Sequence, residues 1–185
     1  MIIWLASYPK SGNTWLRSLL ATYFFTRDGI FNFDLLKEID QFPSVNYFKK
    51  YDDKFNIPES TSKYWIKEQE KINKENKLKF FKTHCAMCKI NNYSFTNSEF
   101  TLGAIHIIRD PRNIVSSLAH HYQLELDNAL KFMKDDRKAL IEEKNGRFLG
   151  FVPIFSWALH EKSWSDCKKF PILTVKYEEL ENNTY

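Results

Sequence analysis

The run Ile2-Ile-Trp-Leu-Ala-Ser7, the turn Tyr8-Pro-Lys-Ser-Gly12 and the segment Asn13-Thr-Trp-Leu-Arg-Ser-Leu-Leu-Ala-Thr-Tyr-Phe-Phe25 together decide the fold. A short apolar run closed by a turn reads as a buried parallel strand over Ile2–Ala6. Trp15, Leu16, Leu19, Leu20, Tyr23 and Phe24 recur at helical spacing and predict a helix over Asn13–Phe25. A turn between such a strand and helix aims free backbone N–H groups and the positive end of the helix dipole at one spot. Gly12 lets the backbone approach an anion closely, Lys10 supplies a full charge, and Ser11 and Thr14 add hydroxyl donors. These parts describe a cradle for phosphate or sulfate. They do not spell G-x-x-x-x-G-K-[ST], because Lys10 precedes Gly12 and no Lys-Ser or Lys-Thr pair follows it.

Working outward, Lys79–Thr83, Gly103–Ile108 and Ile172–Val175 read as further strands. Asp110 caps a helix that opens on Pro111 and carries Ile114, Val115, Leu118, Ala119 and Tyr122 as its apolar stripe. Further helices are expected near Asp34–Asp40, Ser62–Asn76, Asp127–Glu143 and Pro153–Lys169. The alternation predicts an α/β fold, a three-layer α/β/α arrangement around a mostly parallel sheet. Ligands of such sheets bind beyond the carboxyl ends of the strands. That rule singles out Ser7–Thr14, His84, Arg109 and Tyr177.

The 185 residues are 43% hydrophobic and 27% charged, which excludes disordered and collagen-like chains and favours a single domain. Three cysteines cannot all pair, and a reducing compartment is the simpler reading. The apolar start stops at Ser7, too short for a signal peptide or a membrane span, so a cytoplasmic location is expected. Between Ser62 and Lys82 seven lysines face three glutamates, and Lys63, Lys67 and Lys71 share a helical face. A solvated face is the simpler reading, and no nucleic-acid partner is inferred. The aromatic-rich Phe24–Tyr51 region reads either as core or as an apolar acceptor pocket.

Arg109 ends an apolar strand, and Ser117 lies two turns into the helix that follows. A planar guanidinium with a nearby hydroxyl suits phosphate oxygens. Two plainer readings stand beside it: a surface ion pair for Arg109, and a metal-binding Asp110 at the end of Ile107-Ile-Arg-Asp110. His84-Cys-Ala-Met-Cys88 invites a metal or redox reading, with Cys167 as a third ligand, but one Cys-x-x-Cys alone is a weak signal.

Pro9-Lys-Ser-Gly-Asn-Thr-Trp15 resembles the 5′-phosphosulfate loop of the cytosolic-type sulfotransferases, whose fold is P-loop NTPase-like. Ile108-Arg-Asp-Pro-Arg-Asn-Ile-Val-Ser-Ser117 is similar to their 3′-phosphate motif, and Phe81-Lys-Thr-His84 to the strand end that carries their catalytic histidine. Trp157-x-x-His160 with Trp164, and Tyr177-Glu-Glu-Leu180, match two further landmarks, so the resemblance runs the length of the chain in order. It implies transfer of a sulfuryl group from 3′-phosphoadenosine 5′-phosphosulfate (PAPS) to a hydroxyl or amine of a small-molecule acceptor, without a metal. Carried over, Lys10, Ser11, Gly12, Asn13 and Thr14 would hold the phosphosulfate, and Trp15 would pack on the adenine. Arg109 and Ser117 would take the 3′-phosphate, with Tyr177 near the nucleotide. His84 would be the general base and Lys10 would stabilise the leaving phosphate.

His84 titrates near neutrality when unperturbed, which suits a base, and a lysine beside the bridging oxygen stabilises developing charge. His120 and His121 are expected on the surface, and His160 is expected to brace the fold or line the acceptor pocket. The family continues into a C-terminal Arg-Lys-Gly segment that is not in these 185 residues. The resemblance therefore implies a single sulfotransferase-like domain over residues 1–185, either truncated at its C-terminus or a minimal variant, that grips the nucleotide weakly. Two other readings stay open: a P-loop nucleotide kinase, which would require magnesium, and a non-catalytic nucleotide-binding fragment.

Overall fold

The computed structural model describes residues 1–51 and 55–182. Its centre is a four-stranded parallel sheet of β1 (Ile2–Ser7), β2 (Lys79–Thr83), β5 (Thr101–Ile108) and β8 (Ile172–Lys176), in the order β2-β1-β5-β8. The intervening β3 (Lys89–Ile90) and β4 (Tyr93–Ser94) form a small separate hairpin. β1 is central because both its faces are apolar. Ile2, Trp4 and Ala6 belong to a large core on one side, and Leu5 belongs to a second core on the other.

The smaller core takes Leu16 and Ala21 from α1 (Asn13–Phe25) and Ile39 from beyond a 3-10 turn over Phe33–Glu38. The larger core is fully buried around Trp4, Phe42, Phe48, Trp65, Phe95 and Trp164. Feeding it are α2 (Val45–Phe48), α3 (Trp65–Asn73), α4 (Pro111–Tyr122), α5 (Leu126–Lys134) and α6 (Trp157–Ser165). Helices thus cover both faces of a parallel sheet, the three-layer α/β/α arrangement. α7 (Tyr177–Asn182) follows β8 directly. Phe42 and Phe48 are core packing rather than an acceptor pocket, whereas Phe33 is 79% exposed.

Two expected helices are corrected. Asp127–Glu143 is helical only as α5, to Lys134; Ala139–Lys144 is a strand, β6, paired antiparallel with β7 (Arg147–Pro153). Asn145 and Gly146 both adopt positive φ, at 52° and 70°, the backbone of a two-residue hairpin turn, and Asn-Gly is the dipeptide that tolerates it. Pro153 closes β7 instead of opening a helix. α6 begins four residues later at Trp157, where the Ser156 hydroxyl accepts from the Leu159 N–H.

The helix expected over Ser62–Asn76 is shorter as well, a 3-10 turn over Pro58–Tyr64 leading into α3. On its face, Lys71 pairs with the buried carboxylate of Glu68 at 2.8 Å, and Lys67 lies over the Tyr51 and Tyr64 rings.

Candidate functional site

The carboxyl ends of β1, β2 and β5 open into one cavity of about 660 Å³. Its wall holds Lys10, Gly12, Asn13, Thr14, Trp15, His84, Arg109, Ser117 and Tyr177, nine of the ten residues the sequence reading nominated. Ser11 is the exception: it is fully buried beneath the loop, and its Oγ has no hydrogen-bond partner.

Local backbone conformation builds the loop. Lys10 sits at φ 68° and Gly12 at φ 92°, both in the left-handed region. For Lys10 that costs about 1–2 kcal/mol; Gly12 takes it freely. The strained Lys10 carbonyl is held by Arg109, whose Nη1 donates to it at 2.9 Å. Tyr177 packs over Gly12, and the Arg109 guanidinium lies 4.1 Å from the centre of the Tyr177 ring. Trp15 meets the same ring edge-on, with centroids 5.5 Å apart. The two anion motifs, far apart in sequence, are therefore one layered structure: Lys10 carbonyl, Arg109, Tyr177, Gly12.

No side chain caps the N-terminus of α1, and its first intrahelical bond runs from the Leu16 N–H to the Gly12 carbonyl. The preceding N–H groups are left for a ligand. The Asn13 side chain is not: its amide donates to the Leu5 carbonyl at 2.8 Å and to Ser7 Oγ at 3.0 Å, tying the helix start to β1. Only its main chain is free to serve an anion.

His84 follows β2, and its peptide is clamped from behind by α6. His160 Nε2–H donates to the His84 carbonyl at 3.2 Å, Trp164 Nε1–H to the Cys85 carbonyl at 3.0 Å, and the Met87 N–H to Ser163 Oγ at 2.9 Å. In the ring, Nδ1–H donates to the Ser7 carbonyl at 2.8 Å, since a carbonyl only accepts. That fixes the tautomer and leaves Nε2 with its lone pair and no partner among the described residues. Burial, with the Lys82 charge beside it, pushes the imidazole down to about 3. It is neutral throughout the physiological range.

Lys82 is a residue of the cavity wall that sequence reasoning passed over. Counted there within a solvated lysine run, it lines the cavity instead. Its backbone is pinned on both sides, its N–H donating to the Asp40 carbonyl at 2.9 Å and its carbonyl accepting from the Phe42 N–H at 3.0 Å. Burial, then the charges of Arg17 and Lys10, lower its ammonium to about 8. The alternating pattern of β2 placed Lys82 opposite the core residues Phe81 and Thr83, and that was the available signal. His121 is exposed, as expected, and also lines the cavity, whereas His160 is fully buried and braces the His84 peptide.

Asp110 accepts from the Arg112 N–H at 2.9 Å, so it is a helix cap bonded to Arg112. Cys85 is buried with its thiol pushed well up by burial and by the adjoining Cys88, the opposite of a reactive thiolate. Among the described residues neither it nor Cys167 joins a cluster with metal-ligand spacing.

Three basic side chains, Lys10, Lys82 and Arg109, face this cavity, and none of the described residues lining it is a carboxylate. A family model for the sulfotransferase domain matches residues 2–185. The chain belongs to the sulfotransferase domain family. The crystal structure of retinol dehydratase in complex with retinol and PAP is similar in fold, with a TM-score of 0.52 at 16% identity. That match covers 99% of this chain and 56% of retinol dehydratase, so the chain spans little more than half that protein's length. An uncharacterized protein from Eubacterium ventriosum matches at 12% identity and a TM-score of 0.42, covering 95% of this chain and 89% of its own. No curated protein matches the sequence. Among the described residues no helix is long and apolar enough to cross a membrane.

Proposed function

We propose that this chain carries a sulfuryl-transfer site, moving the group from PAPS to a hydroxyl or amine of a small-molecule acceptor. One observation carries the reading: a cavity with an uncapped helix N-terminus, Lys10, Lys82 and Arg109 on its wall and no carboxylate among its described lining residues, with His84 at the same wall. That donor set fits a nucleotide bearing phosphates at two ends. The α1 N-terminus and Lys10 suit the phosphosulfate, Arg109 and Ser117 the 3′-phosphate, and Trp15 the base. Membership of the sulfotransferase family and the PAP bound by the similar retinol dehydratase support it. A nucleotide kinase would need acidic ligands for magnesium, and the described cavity wall offers none.

PAPS, when bound, supplies an activated sulfuryl group whose leaving group is a phosphate. His84 Nε2 accepts the proton of the acceptor hydroxyl, its Nδ1–H staying on the Ser7 carbonyl to hold the ring in place. Lys10, Lys82 and the free N–H groups of α1 balance the charge that builds on the leaving phosphate, in a site where such donors act from fixed positions. A polyanionic nucleotide beside Lys82 and Lys10 also cancels part of the positive field that depresses His84, so binding strengthens the base.

The test is transfer of labelled sulfate from PAPS to a panel of phenols, alcohols and amines, with His84→Ala beside the native chain. Loss of roughly 10²–10⁴-fold in turnover with unchanged nucleotide affinity is expected. Turnover retained in His84→Ala would remove His84 from the chemistry. A chain that binds PAP without transferring sulfate to any acceptor would favour the non-catalytic reading.

A further inference from the structure

Behind the His84 turn, away from the cavity, β5 and α6 bring together His106, His160 and Glu161. Both imidazoles are fully buried, and the glutamate side chain is 13% exposed. One ligand atom from each lies within 4.8 Å of the others. His106 Nε2 stands 3.0 Å from Glu161 Oε2, and His160 Nδ1 stands 3.8 Å from Glu161 Oε1. These contacts are at ion-pair distance without the alignment of a full hydrogen bond, and His106 Nδ1 has no hydrogen-bond partner among the described residues. Two buried imidazoles around one carboxylate with no well-aligned hydrogen bond is a costly arrangement, since a buried polar group short of its hydrogen bond costs about 1–3 kcal/mol.

We propose that His106, His160 and Glu161 bind a divalent transition-metal ion of the zinc class. Two imidazole nitrogens gathered around one carboxylate at 3–4 Å are spaced as the donor atoms of a metal site are. For ligands at about 2.0–2.1 Å in a tetrahedral shell the separation between donor atoms is about 3.3 Å, and the separations of 3.0 and 3.8 Å, to the two oxygens of Glu161, lie either side of it. Two imidazoles and a carboxylate are a donor set for zinc or its neighbours rather than for calcium or magnesium.

The outer shell is present too. His160 Nε2–H is committed to the His84 carbonyl at 3.2 Å, so the remaining lone pair is on Nδ1, the atom that faces Glu161. A ligand histidine that donates its other N–H to a backbone carbonyl is the usual arrangement around protein metals. The partly exposed Glu161 gives the ion a way in, and a solvent molecule would complete four-coordination. So placed, the metal ties β5 to α6 and, through His160, to the turn that carries His84. It takes no part in the transfer itself, being on the far side of that turn.

The experiment titrates cobalt(II) into the purified chain after dialysis against chelator, following visible absorption, then adds zinc(II). Expected are one cobalt per chain with the intense bands of a low-coordinate site, displacement by equimolar zinc, and a rise in Tm with zinc that mass action requires. His106→Ala and the isosteric Glu161→Gln should each weaken zinc at least tenfold, with far-UV circular dichroism checking the fold. The Cys85→Ser/Cys88→Ser/Cys167→Ser variant should bind as before. The proposal is overturned if the native chain binds no stoichiometric metal, if Glu161→Gln binds as tightly as the native chain, or if the cysteine variant loses the ion. Nucleotide binding measured on the same samples is independent of all three outcomes.

Discussion

Replacing Gly12 by alanine tests the layered construction of the site. An ideal Cβ on Gly12 would stand 2.3 Å from Tyr177 Cδ2 and 2.7 Å from Cε2, at φ +92°. Carbon atoms in contact sit at about 3.5–4.0 Å, so the ring must retreat by about 1 Å or more. Tyr177 cannot do so quietly, because Arg109 rests on it at 4.1 Å while holding the Lys10 carbonyl at 2.9 Å. Two costs follow: about 1–2 kcal/mol for a left-handed residue with a Cβ, and about 0.5–2 kcal/mol for the displaced cation–π contact. Together they amount to about 1.5–4 kcal/mol, or roughly 3–16 °C in Tm for a chain of this size.

The assay is a thermal and urea melt of Gly12→Ala, Tyr177→Ala and the double variant. With Tyr177 truncated, only the backbone cost should remain, so the cycle should show about 0.5–2 kcal/mol of coupling. A Gly12→Ala penalty below about 0.5 kcal/mol, or the same penalty in both backgrounds, would refute the packing argument.

Other consequences are separable. Gly146→Ala meets nothing within 4 Å, so at φ +70° it should pay the backbone cost alone, about 1 kcal/mol and a few degrees of Tm, with nucleotide binding unchanged; a much larger loss would mean the hairpin turn is packed. Lys82 is depressed from 10.5 to about 8 in the folded state, so between those values the unfolded chain binds a proton here that the folded chain does not. Folding stability should accordingly rise with pH across that window relative to Lys82→Met, and a pH-independent difference in urea midpoint would contradict it.

The strand–turn–helix at the start was legible because its periodicities are undiluted: a strand buried on both faces reads as an apolar run, and α1 shows its stripe. β6 was misread because its outer half is solvated. Glu142, Glu143 and Lys144 carry no alternation, and their charges fit a helix as well as an exposed strand. Asn145-Gly146 was the visible corrective. In the site, Lys10, His84 and Arg109 were legible because each sits at a strand end followed by a helix or turn, where α/β sheets bind ligands. The inward turn of Lys82 was legible only in the short alternation Phe81-Lys82-Thr83, which the run of lysines before it masked. The His106–Glu161 cluster joins a strand to a helix more than fifty residues later, and no local pattern announces that.

The most direct test of the central claim is calorimetric titration of the chain with 3′-phosphoadenosine 5′-phosphate and with ADP, without added divalent cations. Arg109 and Ser117 are assigned to the 3′-phosphate, and a charge-assisted contact is worth about 1.5–3 kcal/mol. The account predicts binding of the 3′-phosphorylated nucleotide at one per chain, at least tenfold tighter than ADP, with the preference lost in Arg109→Ala. Equal affinity for the two nucleotides, or a preference that survives Arg109→Ala, would contradict it.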